Sequence, residues 1–210
     1  GYFSKIKKSD LFVFLDDSQF SKNSWQNRVC IKSPIGKQFL TQPINRPNGI
    51  STPTNKIIFS SKVWKSKHLK SIELNYKKAI FFNEFFPIVE SILKNESEEL
   101  VNFNIFAIKT ICDYLNIKIN YFISSKLKVN GTSSQRLINI LKSLNSLHYI
   151  HGKGGNNYHD VDLFKANKIK LTPINYKSIQ YKQLWNEFIP GLSILDACFN
   201  LNKEYINKIL

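Results

Sequence analysis

The sequence contains no methionine, only three arginines (Arg28, Arg46 and Arg136), only three cysteines (Cys30, Cys112 and Cys198), and no apolar run approaching the ~20 residues that cross a bilayer. Each scarcity excludes something. An odd, widely spaced cysteine set supplies neither a disulfide framework nor a CxxC metal knuckle, and it fits a reducing compartment. A chain that starts at Gly1 without a methionine is expected to have lost its natural N-terminus and any leader or first motif with it. The few arginines matter against a net charge of +15, from 30 basic and 15 acidic residues. Nearly all of the positive charge is lysine spread along the chain, and Lys, Asn and Ile share A/T-rich codons. Arginine, whose planar fork makes the paired hydrogen bonds of base recognition, is scarce. Nucleic acid is therefore not the expected main ligand. Phosphorylated small molecules are drawn by the same charge.

What is present is a chain of 210 residues, 42% hydrophobic, enough for one domain with a buried core. Tyr2–Lys8 reads as the tail of a helix. Leu11–Asp17 (LFVFLDD) is an apolar run ending in two carboxylates and predicts a strand buried on both faces. Arg28–Ser33 and Gln38–Pro43 flank Pro34-Ile35-Gly36-Lys37 and predict a β-hairpin. Asn45–Asn55 predicts a loop and Lys56–Phe59 a short strand. From Trp64 to about Leu115 the pattern is helical, with Val101, Ile105, Ile108, Cys112 and Leu115 on one face. Ile117–Ile123 predicts a strand. Thr132 and Gln135 predict a capping box that opens a helix striped by Leu137, Leu141 and Leu144. Strands at Leu147–Ile150 and Ile169–Ile174 enclose a short helix at Val161–Ala166, and helices at Leu192–Leu201 and Lys203–Leu210 close the chain. The expected fold class is α/β: a largely parallel sheet flanked by helices, with a β-hairpin insertion and a helical middle segment. It forms one domain over 1–210 with a helical subdomain at about 64–115.

Ligands of open α/β sheets gather at the carboxyl ends of strands. Two loops fall there. In the first, Asp16-Asp17-Ser18-Gln19 runs on to Asn27-Arg28. Adjacent carboxylates at a strand tip bind a cation, hold an amine or act as a base; the plain alternative is a turn cap beside a solvated acid. Arg28, kept as arginine in a chain that defaults to lysine, points to paired recognition of a carboxylate or phosphate, against the alternative of a surface ion pair. In the second loop, Gly152-Lys153-Gly154-Gly155 places three of the eight glycines in four positions. Such a run makes an anion-holding nest or a plain tight turn, and it is neither GxGxxG nor GxxxxGK[ST]. His148 and His151 are predicted to point to opposite faces of a strand, so no metal is expected. His151, His159, Asp160 and Asp162 converge only through the loop. His68 is a second candidate base, and Ser124 and Ser125 are placed to hydrogen-bond a ligand at the end of their strand. The paired aspartates, Arg28 and the glycine bend are expected to rim one cleft that takes small anionic molecules.

The strings LFVFLDDSQFSKNSWQNR and IKSPIGKQFLTQPI, the W-x-x-x-H at Trp64 and His68, YIHGKGGNNY and FIPGLSILDACFN resemble the WbqC-like protein family along essentially the whole chain. Members usually begin with a strand and an HQPxYLPW-like segment before GYF, so the first strand is expected to be missing here, and they usually carry a small residue where His151 stands. The resemblance implies a role in gene clusters for O-antigen and other surface polysaccharides, with glycine (aminoacyl) transfer suggested for the family. It carries over Asp16, Asp17, Gln19, Asn27, Arg28, Thr41, His68, Gly152, Gly154, Tyr158, Ser193 and Asp196. Asp16, Asp17 and His68 are then the candidate catalytic groups, and the others, with Ser124, bind substrate.

The function this implies is a cytoplasmic transferase that puts an aminoacyl (glycyl) or acyl group on a nucleotide- or lipid-linked amino sugar. Its donor comes activated as an adenylate, thioester or aminoacyl-tRNA. The alternatives are a non-catalytic protein of the same pathway that binds a nucleotide-sugar or a partner, and RNA binding through the lysines.

Overall fold

The structure, a computed structural model, describes residues 1–210 apart from Asn23, Lys153, Gly154, Asn156, Asn157 and Lys177. Its strands are β1 (Phe12–Phe14), β2 (Arg28–Ser33), β3 (Gly36–Thr41), β4 (Ile44–Asn45), β5 (Ile58–Phe59), β6 (Tyr121–Ile123), β7 (His148–His151) and β8 (Lys170–Pro173). Its helices are α1 (Tyr2–Lys7), α2 (Val63–Tyr76), α3 (Phe82–Lys94), α4 (Leu100–Tyr114), α5 (Ser133–Ser143), α6 (Val161–Ala166), α7 (Ile194–Asn200) and α8 (Lys203–Ile209). The chain is α/β and divides into two units. One comprises Gly1–Asp17, Lys118–Lys177 and Leu210; the other comprises Ser18–Ile117 and Ser178–Ile209. Among the described residues no helix is long and apolar enough to cross a membrane.

The first unit holds the parallel pairing. β1 runs parallel to β6, with Phe12 opposite Tyr121 and Phe14 opposite Ile123. β7 runs parallel to β8, with α6 as the crossover between them. Parallel neighbours need a crossover connection, and for β1 and β6 the crossover is the 100-residue first segment of the other unit. The LFVFLDD run forms a shorter strand than expected. Leu11 and Leu15 are exposed at its ends, because β1 has one strand neighbour among the described residues and a two-stranded pair covers little of a strand. The core of this unit gathers Ile138, Phe164 and Ile169 under Tyr149, Leu163 and Leu171. Each of those buried side chains contributes about 1.5–3 kcal/mol.

Helix ends set the geometry of both units through one device. At the end of α4, Asn116 takes φ +54°, its N–H bonds the Asp113 carbonyl, and the Ile117 N–H bonds the Cys112 carbonyl. Asn145 and Ser146 repeat this after α5, and Lys168 and Ile169 after α6. Such a left-handed residue satisfies the last carbonyls of a helix and turns the chain sharply, here delivering α5 into β7 and α6 into β8. At the other end of α5 the expected capping box does not form. Ser133 enters at φ +45°, the Thr132 side chain makes no cap bond, and the Gln135 amide donates to Asn139.

The second unit contains the antiparallel pairs. β2 and β3 form the expected hairpin, with Ser33 opposite Gly36 across a two-residue connection, Pro34-Ile35, and Gly36 at φ +112°. β4 pairs with β5, and Ile44 and Phe59 pack against Phe20, Ile57 and Leu100. The helical middle resolves into α2, α3 and α4. α4 buries Phe103, Ile105, Ile111 and Cys112, so the stripe read from the sequence is the inward face, with Val101 and Ile108 at its half-buried margin. Tyr76 stacks on Phe199 at 4.6 Å, and Phe85 meets Phe199 edge-on at 5.0 Å, tying α2 and α3 to α7.

Candidate functional site

In the first unit the parallel pairing brings Asp16-Asp17 and Ser124-Ser125 to the same edge, each just beyond the carboxyl end of its strand. Asp16 is 6% exposed. Its Oδ1 accepts from the Ser124 hydroxyl at 3.0 Å and the Ser125 N–H at 2.9 Å, and its Oδ2 accepts from the Ser125 hydroxyl at 2.6 Å. Asp17 Oδ1 stands 2.6 Å from the same Ser124 hydroxyl, whose single proton serves one carboxylate at a time. Asp17 Oδ2 accepts from the Arg136 guanidinium at 2.5 Å, a partly buried ion pair made by α5. The sequence reading placed Asp16, Asp17 and Ser124 at strand tips, and the structure joins them in one hydrogen-bonded cluster. It did not find Arg136.

The glycine bend follows β7 in the same unit. Gly152 and Gly155 are described; Lys153 and Gly154, expected to complete the nest, and the following Asn156 and Asn157 lie outside the described residues. Gly155 has a packing reason to be glycine: a Cβ there would lie 2.6 Å from both His151 Nδ1 and His159 Nε2. The two rings meet edge to face at 5.0 Å, and burial together with the His151 ring pushes His159 below its ordinary range. His148 points away and pairs with the Thr172 hydroxyl. Asp160 caps α6, accepting from the Leu163 N–H at 3.0 Å. Tyr158 is 81% exposed. Among the described residues no three His, Cys, Asp or Glu side chains converge as metal ligands.

The second unit carries a pocket of about 190 Å³ lined by Phe20, Lys22, Asn27, Arg28, Thr41, Ile44 and Arg46. Hairpin register builds it, because Arg28 pairs with Thr41 where β2 begins and β3 ends. Asn27 fixes the next step by donating its side-chain amide to the Gln42 carbonyl at 2.9 Å. Three of the lining residues are cations, and none is acidic. Beside the pocket, the Arg28 guanidinium carbon lies 5.0 Å from the Phe39 ring centre and 5.7 Å from that of Trp25, within cation–π range. His68, on α2, lies near the Thr41 backbone, which favours its protonated ring; burial outweighs this and holds the ring below the ordinary histidine range, so His68 is neutral at pH 7. Trp64, one helical turn earlier, meets its ring edge-on at 5.0 Å.

Three further residues carried over from the family pattern serve the body of this unit. Gln19 donates to the Ile50 carbonyl at 2.9 Å and pairs with Pro53, shaping the loop over 45–55. Ser193 opens α7, and its N–H donates to the Cys30 carbonyl at 2.7 Å. Asp196 is fully buried and accepts from the Tyr76 hydroxyl at 2.9 Å and the Tyr181 hydroxyl at 2.6 Å; burial pushes its carboxyl up against those bonds. The pocket thus unites Asn27, Arg28 and Thr41, and does not include His68, Gln19, Ser193 or Asp196. The aspartate pair and the glycine bend belong to the first unit and Arg28 to the second.

Sequence reasoning missed Arg46, Lys22, Trp25 and Phe39 as well as Arg136. One signal was available. The scarcity that singled out Arg28 applies equally to the other two arginines, and all three stand at these two sites.

The family model described as WbqC-like protein family matches residues 1–208. An uncharacterized protein of Mycobacterium tuberculosis is 30% identical over 206 residues, spanning 97% of this chain and 89% of that protein. No solved structure matches.

Proposed function

Because the chain belongs to the WbqC-like protein family, we propose that it is a transferase of surface-polysaccharide assembly that places an aminoacyl group, glycyl first, or an acyl group on the amine of a sugar. The observation that carries this reading is the basic pocket of the second unit. Arg28, Arg46 and Lys22 supply charge to hold an anionic group, and Asn27 and Thr41 supply polar contacts that orient it. A free carboxylate does not form an amide in water, so the donor arrives activated as an adenylate, thioester or aminoacyl-tRNA. The sugar amine attacks the donor carbonyl carbon, a C–N bond forms, the C–O or C–S bond to the leaving group breaks, and the amine proton passes to a base. His68, neutral at pH 7 and near the Thr41 backbone, is the candidate base of this unit. In the first unit the carboxylate candidate is Asp17. All three cysteines are free and buried, in keeping with work in the reducing cytoplasm, where such donors are made.

The test is product formation. The protein is incubated with amino-sugar nucleotides and with glycyl-tRNA or glycyl and acyl thioesters, and the sugar is analysed by mass spectrometry for a gain of one glycyl or acyl group. Arg28→Ala and Asp17→Asn are each expected to abolish turnover in folded protein; near wild-type rates in both remove these residues from the chemistry.

The second reading is a non-catalytic protein of the same pathway that binds a nucleotide-sugar. It is favoured by Asp16, both of whose carboxylate oxygens are engaged within the protein. Saturable binding with no product from any donor selects it.

A further inference from the structure

We infer that the basic pocket takes the diphosphate of a nucleoside diphosphate, with the base stacked outside it on Trp25 and Phe39. The inference rests on the pocket used for the transferase reading and names the handle by which the amino sugar is held.

Three independent features point the same way. The first is charge. Arg28, Arg46 and Lys22 all border the pocket, with no acid among its lining residues. A lone carboxylate needs one guanidinium, whereas three cations match a diphosphate.

The second is size. About 190 Å³ accommodates phosphate groups but not a base, ribose and sugar as well, so most of a nucleotide-sugar lies outside the pocket.

The third is the surface beside it. Trp25 is 64% exposed and Phe39 is 50% exposed, a cost that neither ring offsets by packing into a core. Their ring centres are 6.0 Å apart with planes tilted by 31°, so the two exposed rings form one aromatic pair at the surface. Every nucleobase has a face that stacks on such rings. Arg28 connects the two halves, since its guanidinium lies against both rings and its side chain borders the pocket.

Binding is measured by calorimetry and tryptophan fluorescence with UDP, GDP, inorganic pyrophosphate and a short oligo(U) strand. UDP and GDP are expected to bind saturably and to quench fluorescence, and pyrophosphate to bind about ten-fold more weakly for want of a stacked base. Trp25→Ala should weaken UDP about ten-fold and leave pyrophosphate unchanged. Trp25→Phe should retain UDP affinity and lose the quench. Arg46→Ala should weaken both UDP and pyrophosphate at least about ten-fold. Trp25 is exposed, so these variants fold, which circular dichroism checks. Equal affinity for UDP and pyrophosphate, or unchanged UDP binding in Trp25→Ala, overturns the inference. Oligo(U) binding more tightly than UDP, with affinity falling steeply in salt, also overturns it and identifies an RNA surface. The two readings fail separately. Amide product on a lipid-linked amino sugar without UDP binding removes this inference and keeps the transferase; UDP binding as described without product does the reverse.

Discussion

Arg28 and Thr41 stand opposite each other in the register of the β2–β3 hairpin, and both border the basic pocket. They are brought together by the two-residue connection Pro34-Ile35. Side chains alternate faces along a strand, so a slip of one residue turns one strand over relative to the other and parts Arg28 from Thr41 and Phe39. The lining of this pocket therefore depends on a turn at the opposite end of the hairpin from Arg28 and Thr41.

The turn is where that dependence is tested. Gly36 holds φ +112°, a conformation that residues with a Cβ rarely adopt. Gly36→Ala is expected to destabilise the protein by about 1–3 kcal/mol in urea unfolding and to weaken pyrophosphate binding at the same time. An unchanged midpoint and unchanged binding would show that the register is set elsewhere.

Arg136 and Asp17 close the strand ends of the first unit, with side chains 27% and 23% exposed. Arg136→Ala leaves the carboxylate without its charged partner and is expected to cost about 1–2 kcal/mol. Arg136→Lys should recover only part of it, because an ammonium lacks the planar fork. Equal urea midpoints for wild type and Arg136→Ala would reduce the pair to a surface contact.

Acid should weaken the second unit through His68. Its folded-state ring is held below its ordinary range, so the unfolded chain takes up the proton first as pH falls. The contribution is fully present above about pH 6.5, the value of an unperturbed histidine, and is lost as pH falls through the lowered folded value. Stability measured in urea between pH 7.5 and 5 should fall less in His68→Gln, whose amide keeps a polar side chain there but does not titrate. His159, depressed in the same direction, accounts for part of what remains. An identical fall in wild type and variant contradicts the assignment.

Tyr76 is the keystone of the buried network around Asp196. The Lys32 N–H donates to its hydroxyl at 2.9 Å, and that hydroxyl donates to Asp196 Oδ1 at 2.9 Å. Tyr76→Phe strands a buried donor and a buried acceptor and is expected to cost about 1–3 kcal/mol. Pyrophosphate affinity should not change, since neither residue lines the pocket. A loss of affinity without a loss of stability would give Asp196 a role at the ligand.

Local pattern carried most of the fold. The stripe through Ile105 and Cys112 marks α4, the paired runs around Pro34-Ile35 mark the hairpin, and the dipeptide Asp16-Asp17 marks a strand end, because each signal lies within a few residues. The extent of the strands did not come through: LFVFLDD reads as buried, but burial depends on neighbouring strands, and β1 has one among the described residues. The site was legible where a residue type was rare, as with Arg28. It was not legible where the arrangement depends on distant partners. Ser125 reaches Asp16 across 109 positions and Arg136 reaches Asp17 across 119, and no local rule links them. Trp25 and Phe39 were hidden for a different reason. In a chain that is 13% aromatic, only exposure separates a platform from core packing.

If the cations around Arg28 hold the substrate of an amide-forming transfer, mass spectrometry of an amino-sugar nucleotide incubated with activated glycine decides it. A glycylated sugar is expected with wild-type protein, at least about a ten-fold lower rate with Arg28→Lys, which keeps the charge and loses the fork, and none with Arg28→Ala. An equal yield from the wild type and both Arg28 variants would contradict it.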